Sequence, residues 1–131
     1  MTASDRAGLM AAYNNSVVTV TLSDLNVTLP VGVPPPATVP TPAGIITAEQ
    51  SRKAASGTAN AVASLALHAL MHRRQLVHLP TVSAATDGSH QEAGWLVCGI
   101  TQDELCRIGR AFGQLAVYRL TEDALQVVAC N

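Results

Sequence analysis

Apolar and polar positions first alternate in steps of two. Val18, Val20 and Leu22 are interleaved with Thr19 and Thr21, and beyond Ser23-Asp24 the residues Leu25, Val27 and Leu29 are interleaved with Asn26 and Thr28. Two such runs about a two-residue polar turn predict a β-hairpin with one buried face. Later the period changes. Residues 95–100 form a short apolar run, as in a strand covered on both faces. Thr101 follows, with Glu104 three residues on, which predicts a capping box in which the hydroxyl takes an orphan amide and the carboxylate reaches back. Leu105, Ile108 and Phe112 then recur at helical spacing, Gly113 supplies a left-handed stop, and residues 115–120 resume as a strand.

The rest of the chain is less sharply patterned. Residues 4–12 have weak helical propensity. Residues 30–42 carry six of the seven prolines, predicting an extended surface loop rather than a central strand. Residues 44–48 predict a short β-branched strand. A helix capped by Ser56 or Thr58 is expected to run to about Arg74, with Val62, Ala66, Ala69 and Leu70 as its core stripe and Ala61, Ser64, His68, His72 and Gln75 as a more polar face. Residues 76–79 predict a strand that Pro80 marks as an edge strand or a bend. Residues 81–93 are small and polar, with a turn at Asp87-Gly88, and read as a connection. Residues 125–129 predict a last strand.

Between residues 44 and 120 the order is therefore β-α-β-β-α-β, the split arrangement of ferredoxin-like domains. The expected fold is α+β: an antiparallel sheet with two main helices packed on one face, extended by the N-terminal hairpin and the C-terminal strand. One domain is expected over residues 1–131, comprising a helical turn and hairpin (1–29), the proline-rich loop (30–42) and the α+β core (43–131).

Composition narrows the function classes. With 48% hydrophobic and 13% charged residues the chain belongs among folded proteins. A net charge of −1 and only two basic pairs, Arg52-Lys53 and Arg73-Arg74, argue against nucleic-acid binding. No run approaches the ~20 apolar residues of a membrane span, and the first residues do not have the pattern of a secretory signal, so neither membrane nor export is expected and the location is cytoplasmic. The three cysteines, Cys98, Cys106 and Cys130, lack C-x-x-C spacing and are expected to be free thiols.

Three short patches resemble a bacterial family catalogued as domain of unknown function 3293. They are Ile46-Thr47-Ala48 followed by Asn60 in the long helix; Glu92 ahead of residues 94–99; and Arg110-Ala111-Phe112-Gly113-Gln114 leading into 116–118. Tyr13 stands where the family tends to have an aromatic before its first strand. Thr47, Asn60, Glu92 and Gln114 are the polar residues on the matched patches. The resemblance departs after Ala48, where Glu49-Gln50-Ser51 replace the family's usual aromatic and Asn-Pro, and at Leu115, where asparagine is usual. A centre built on those asparagines would be missing here.

Each of these four polar residues falls at the end of a regular element, where side chains can converge on a ligand. Their alternative roles are a helix cap for Asn60, loop amides for Gln114 and an arginine partner for Glu92. His68 and His72, four apart on one helix face, have a zinc-like spacing, with His78 or His90 as a third ligand, but a solvated face is the expected reading and no metal or cofactor is implied. Ser51 and Ser56 have no G-x-S-x-G elbow around them. Two functions follow. One is a non-catalytic module binding a small ligand or a protein partner, with a homodimer through a sheet edge as one such partner. The other is a small enzyme using Glu92 as general acid or base, with Asn60 and Gln114 orienting the substrate.

Overall fold

The computed structural model describes residues 2–47, 57–87 and 91–130. Helix α1 (Ala3–Asn14) leads into the hairpin β1 (Ser16–Leu22) and β2 (Leu25–Pro30). Strand β3 (Ala43–Ile46), helix α2 (Gly57–Arg73) and strands β4 (His78–Ala85) and β5 (Gln91–Cys98) follow, then helix α3 (Gln102–Ala111), β6 (Ala116–Leu120) and β7 (Leu125–Ala129). The hairpin closes at Leu22↔Leu25, with Ser23 at φ 53° in its two-residue turn. Elements β3 to β6 follow in the expected β-α-β-β-α-β order.

They do not build the expected ferredoxin-like core. All seven strands form one antiparallel sheet, ordered β2-β1-β4-β5-β3-β6-β7, and that sheet curls into a half-barrel accompanied by three short helices. Its two edge strands approach each other at one end, where Val31, just past β2, bridges Leu125 at the start of β7 and Gly32 donates its amide to the Leu125 carbonyl at 2.8 Å. The physical reason is that both faces of the sheet are apolar. A two-layer sandwich buries one face under its helices and leaves the other open. Here β3 is buried at every position, and a second core of Val18, Val20, Leu29, Ile45, Leu96, Leu120 and Leu125 lies opposite the helical one. Curling buries that second set against itself.

The helices cover the convex face unequally. Helix α3 follows its sequence signals: the Thr101 hydroxyl accepts the Glu104 amide at 3.2 Å, Leu105 and Ile108 are buried, and Gly113 takes φ 75°. The Glu104 carboxylate, however, pairs with Arg74 and Arg107 rather than turning back to the cap. Helix α2 is rotated from the expected stripe. Leu67 and Met71 enter the core at 1% and 0% exposure, while Val62 is 62% exposed and Ala66 and Ala69 face outward. Apolar residues surround this helix on all sides, so spacing alone does not select the buried face.

Two further expectations change. Residues 81–85, read as connection, belong to β4, and Pro80 sits inside that central strand. The β1 ladder stops at Thr81, so Pro80 lies where the strand keeps β5 alone as a neighbour. The proline-rich segment is more than a surface loop, because Val39 inserts into the concave core at 3% exposure.

Cys106 and Cys130 form a disulfide, with Cα atoms 5.1 Å apart, and are not free thiols. The antiparallel return of β7 along β6 brings Cys130 back beneath α3, a juxtaposition that a separation of 24 residues does not reveal. Cys98 is the remaining thiol, and burial raises its pKa.

Candidate functional site

Strand alternation sorts the concave face into two ends. Leu96 points into the concave core, so Glu92, an even number of residues back along β5, shares its face, as Thr81 and Ser83 share that of Leu79 on β4. Ser83 is the direct register partner of Glu92, and Thr81 that of Gly94. Ser16 shares its face with Val18 and Val20 on β1, and Tyr118 with Leu120 on β6. One end of the face is therefore aliphatic, and the other carries hydroxyls, a carboxylate and phenols.

The buried polar side chains Ser16, Thr81 and Ser83 all belong to that polar end, and Thr47 and Gln114 join it from the ends of their elements. The Thr47 hydroxyl donates to the Ala93 carbonyl at 2.6 Å, beside Glu92. Gln114, buried after the α3 stop, accepts the Tyr13 hydroxyl on Oε1 at 3.1 Å. Helix α1 carries Tyr13 there, and its ring meets Tyr118 edge-on with centroids 5.5 Å apart. The Ser16 hydroxyl ties the end of the helix by donating to the Ala12 carbonyl at 2.7 Å.

Electrostatics bind the group together. Burial, then the Glu92 carboxylate, then Tyr118, raise the pKa of the Tyr13 phenol. Tyr118 is pushed up to about 12 by burial and by Glu92, against a hydrogen bond with Ser16 that pulls it down. Both phenols are thus neutral hydrogen-bonding groups at physiological pH. Thr81 Oγ1 is buried at 3% exposure with no hydrogen-bond partner among the described residues. A Cβ at Gly94 would fall 3.2 Å from that oxygen and 2.5 Å from the Ile46 carbonyl, so the strands close up here only because position 94 is glycine.

Of the four expected pocket residues, Thr47, Glu92 and Gln114 come to this end. Asn60 starts from the other side of the sheet: it lies in the first turn of α2, on the stripe shared by Ala63 and Leu67, which pack on the helical core. Tyr13, expected only as an aromatic before the first strand, proves central. Ser16, Thr81, Ser83 and Tyr118 were not anticipated. Their signal was misleading, since the polar residues of β4 are buried while Val82 between them is 42% exposed, the reverse of the usual amphipathic strand.

The other candidate chemistry resolves differently. His68 stacks on Trp95 at 4.8 Å, and His78 meets both rings edge-on at 5.2 and 4.9 Å. His78 Nδ1 lies 2.6 Å from the Leu76 carbonyl. No group of three or more His, Cys, Asp or Glu side chains that could hold a metal occurs among the described residues. Ser51, Ser56, the Arg52-Lys53 pair, His90 and Gly88 lie outside the described residues. No helix among the described residues is long and apolar enough to cross a membrane.

The fold and its polar end thus define a curled antiparallel half-barrel with hydrogen-bonding groups gathered at one mouth. The family model described as "Protein of unknown function (DUF3293)" matches residues 49–117, just over half of the chain, and the chain belongs to that family. The match takes in Asn60, Glu92 and Gln114, together with α2, β4, β5 and α3. No curated protein and no solved structure matches the chain.

Proposed function

We propose that the polar end of the half-barrel is a binding site for a small polar molecule, and that the protein acts as a non-catalytic ligand-binding module. The observation that carries this reading is the concentration of buried hydroxyl, amide and phenol groups, beside the half-buried Glu92 carboxylate, at one end of an otherwise aliphatic concave face. A core built for stability alone gains nothing from desolvating Ser16, Thr81, Ser83 and Gln114 together, and an unpaired buried hydroxyl costs ~1–3 kcal/mol. Such a cost is commonly tolerated where a ligand completes the hydrogen bonds. The Thr81 hydroxyl supplies a donor and the Glu92 carboxylate an acceptor, while the Tyr13 phenol is held on Gln114 Oε1.

The test is thermal unfolding against a panel of amino acids, sugars, nucleosides and small carboxylic acids. A true ligand at a hundredfold its Kd adds about 2.7 kcal/mol to stability. The gain should shrink in Glu92→Gln and Thr81→Val. A panel without any stabilising compound, or one whose effect survives both substitutions, would overturn the reading. The catalytic alternative, with Glu92 as acid or base, makes a separate demand: the stabilising compound must be consumed, as followed by mass spectrometry.

A further inference from the structure

On the convex face, α2 does not lie flat on the sheet. Its C-terminal half is pinned by Leu67 and Met71, whereas Leu65, six residues before Met71 and on a different stripe, is 69% exposed. Ala61, Ser64, Leu65 and His68 follow one another at helical spacing and face Pro80 and Val82 of β4 and Ala93 and Trp95 of β5 across a cleft of about 570 Å³. His68, stacked on Trp95, stands as a spacer between helix and strand, and the small residues Ala61 and Ala93 leave the space unfilled.

We propose that this cleft binds one compact, neutral aromatic molecule. Its volume falls within the range of small-molecule sites, ~300–1,000 Å³. The walls are aliphatic and aromatic, and apart from His68 no lining residue is ionisable, which disfavours a charged occupant. Trp95 and His68 offer ring edges and faces to a planar guest, and the Ser64 hydroxyl offers one polar handle. Ten residues bound the cleft. A stable protein interface uses roughly 20–30 a side, so a small guest fits this space better than a second chain. The cleft opens on the opposite face of the sheet from the polar end, with Thr81 and Gly94 bordering both.

Trp95 is the only tryptophan, so its emission reports on this site alone. Full-length protein is titrated with the neutral fluorophore N-phenyl-1-naphthylamine, exciting the tryptophan and following energy transfer. Saturable one-to-one binding is expected, weakened at least tenfold by Leu65→Glu and by Val82→Glu, both at exposed positions that tolerate charge. Val77→Glu, 66% exposed and outside the cleft, should leave binding unchanged. Absence of saturable binding, or equal binding by both cleft variants, would overturn the proposal. So would a dimer in sedimentation that Leu65→Glu dissociates, since a second copy would then occupy the cleft.

Discussion

The hydroxyl of Tyr13 donates to Oε1 of Gln114 at 3.1 Å across 101 positions of sequence. One partner lies at the end of the first helix and the other follows the last, so this contact joins two distant helix ends over the polar mouth of the half-barrel. Tyr13→Phe removes the donor while keeping the ring on Tyr118, and should cost about 1 kcal/mol in urea unfolding. Tyr13→Ala also loses the ring packing and should cost ~3–5 kcal/mol. Equal effects of the two would show that the hydroxyl carries the whole contribution.

The two tyrosines, the only ones in the chain, give a pH prediction. Both folded pKa values lie above the ordinary phenol value of 10, chiefly through burial. The folded chain therefore holds protons that the unfolded chain releases. Stability from this source is fully present below pH 10 and is lost as pH rises towards the folded value of about 12 for Tyr118. Absorbance at 295 nm should stay flat to about pH 11 in native protein and titrate near 10 in denaturant. A native midpoint near 10 would place both rings in solvent.

The Cys106–Cys130 bridge predicts one reactive thiol, that of Cys98, when the protein is denatured without reductant, and three after reduction. Cys106→Ala with Cys130→Ala should lower stability by ~2–4 kcal/mol. Three thiols in the unreduced protein would contradict the bridge.

Gly94→Ala should destabilise by about 1–3 kcal/mol, because its Cβ meets backbone at the Ile46 carbonyl and cannot be relieved by a side-chain rotation. The same substitution at Gly8, where a Cβ meets nothing within 4 Å, should be neutral or stabilising within a helix. Thermal denaturation of the two variants side by side checks the contrast.

What the sequence determined by itself are the features written in neighbouring residues. Alternation about Ser23-Asp24 specified the hairpin, and Thr101 with the Leu105, Ile108 and Phe112 stripe specified α3, since both signals act within a few residues. Thr47, Glu92 and Gln114 were legible as polar residues at element ends. Tertiary structure decided what depends on distant partners. It turned Leu67 and Met71 of α2 inward instead of Val62 and Ala66, as a helix apolar all round takes its buried face from the surface it meets. It made Thr81 and Ser83 a buried face and Val82 an exposed one, inverting the pattern by which strands are read. Cys130 met Cys106 through the return of β7. Above all it curled the sheet: β2 meets β7 through Val31 and Leu125 because two apolar faces had to be buried and α2 and α3 cover only one.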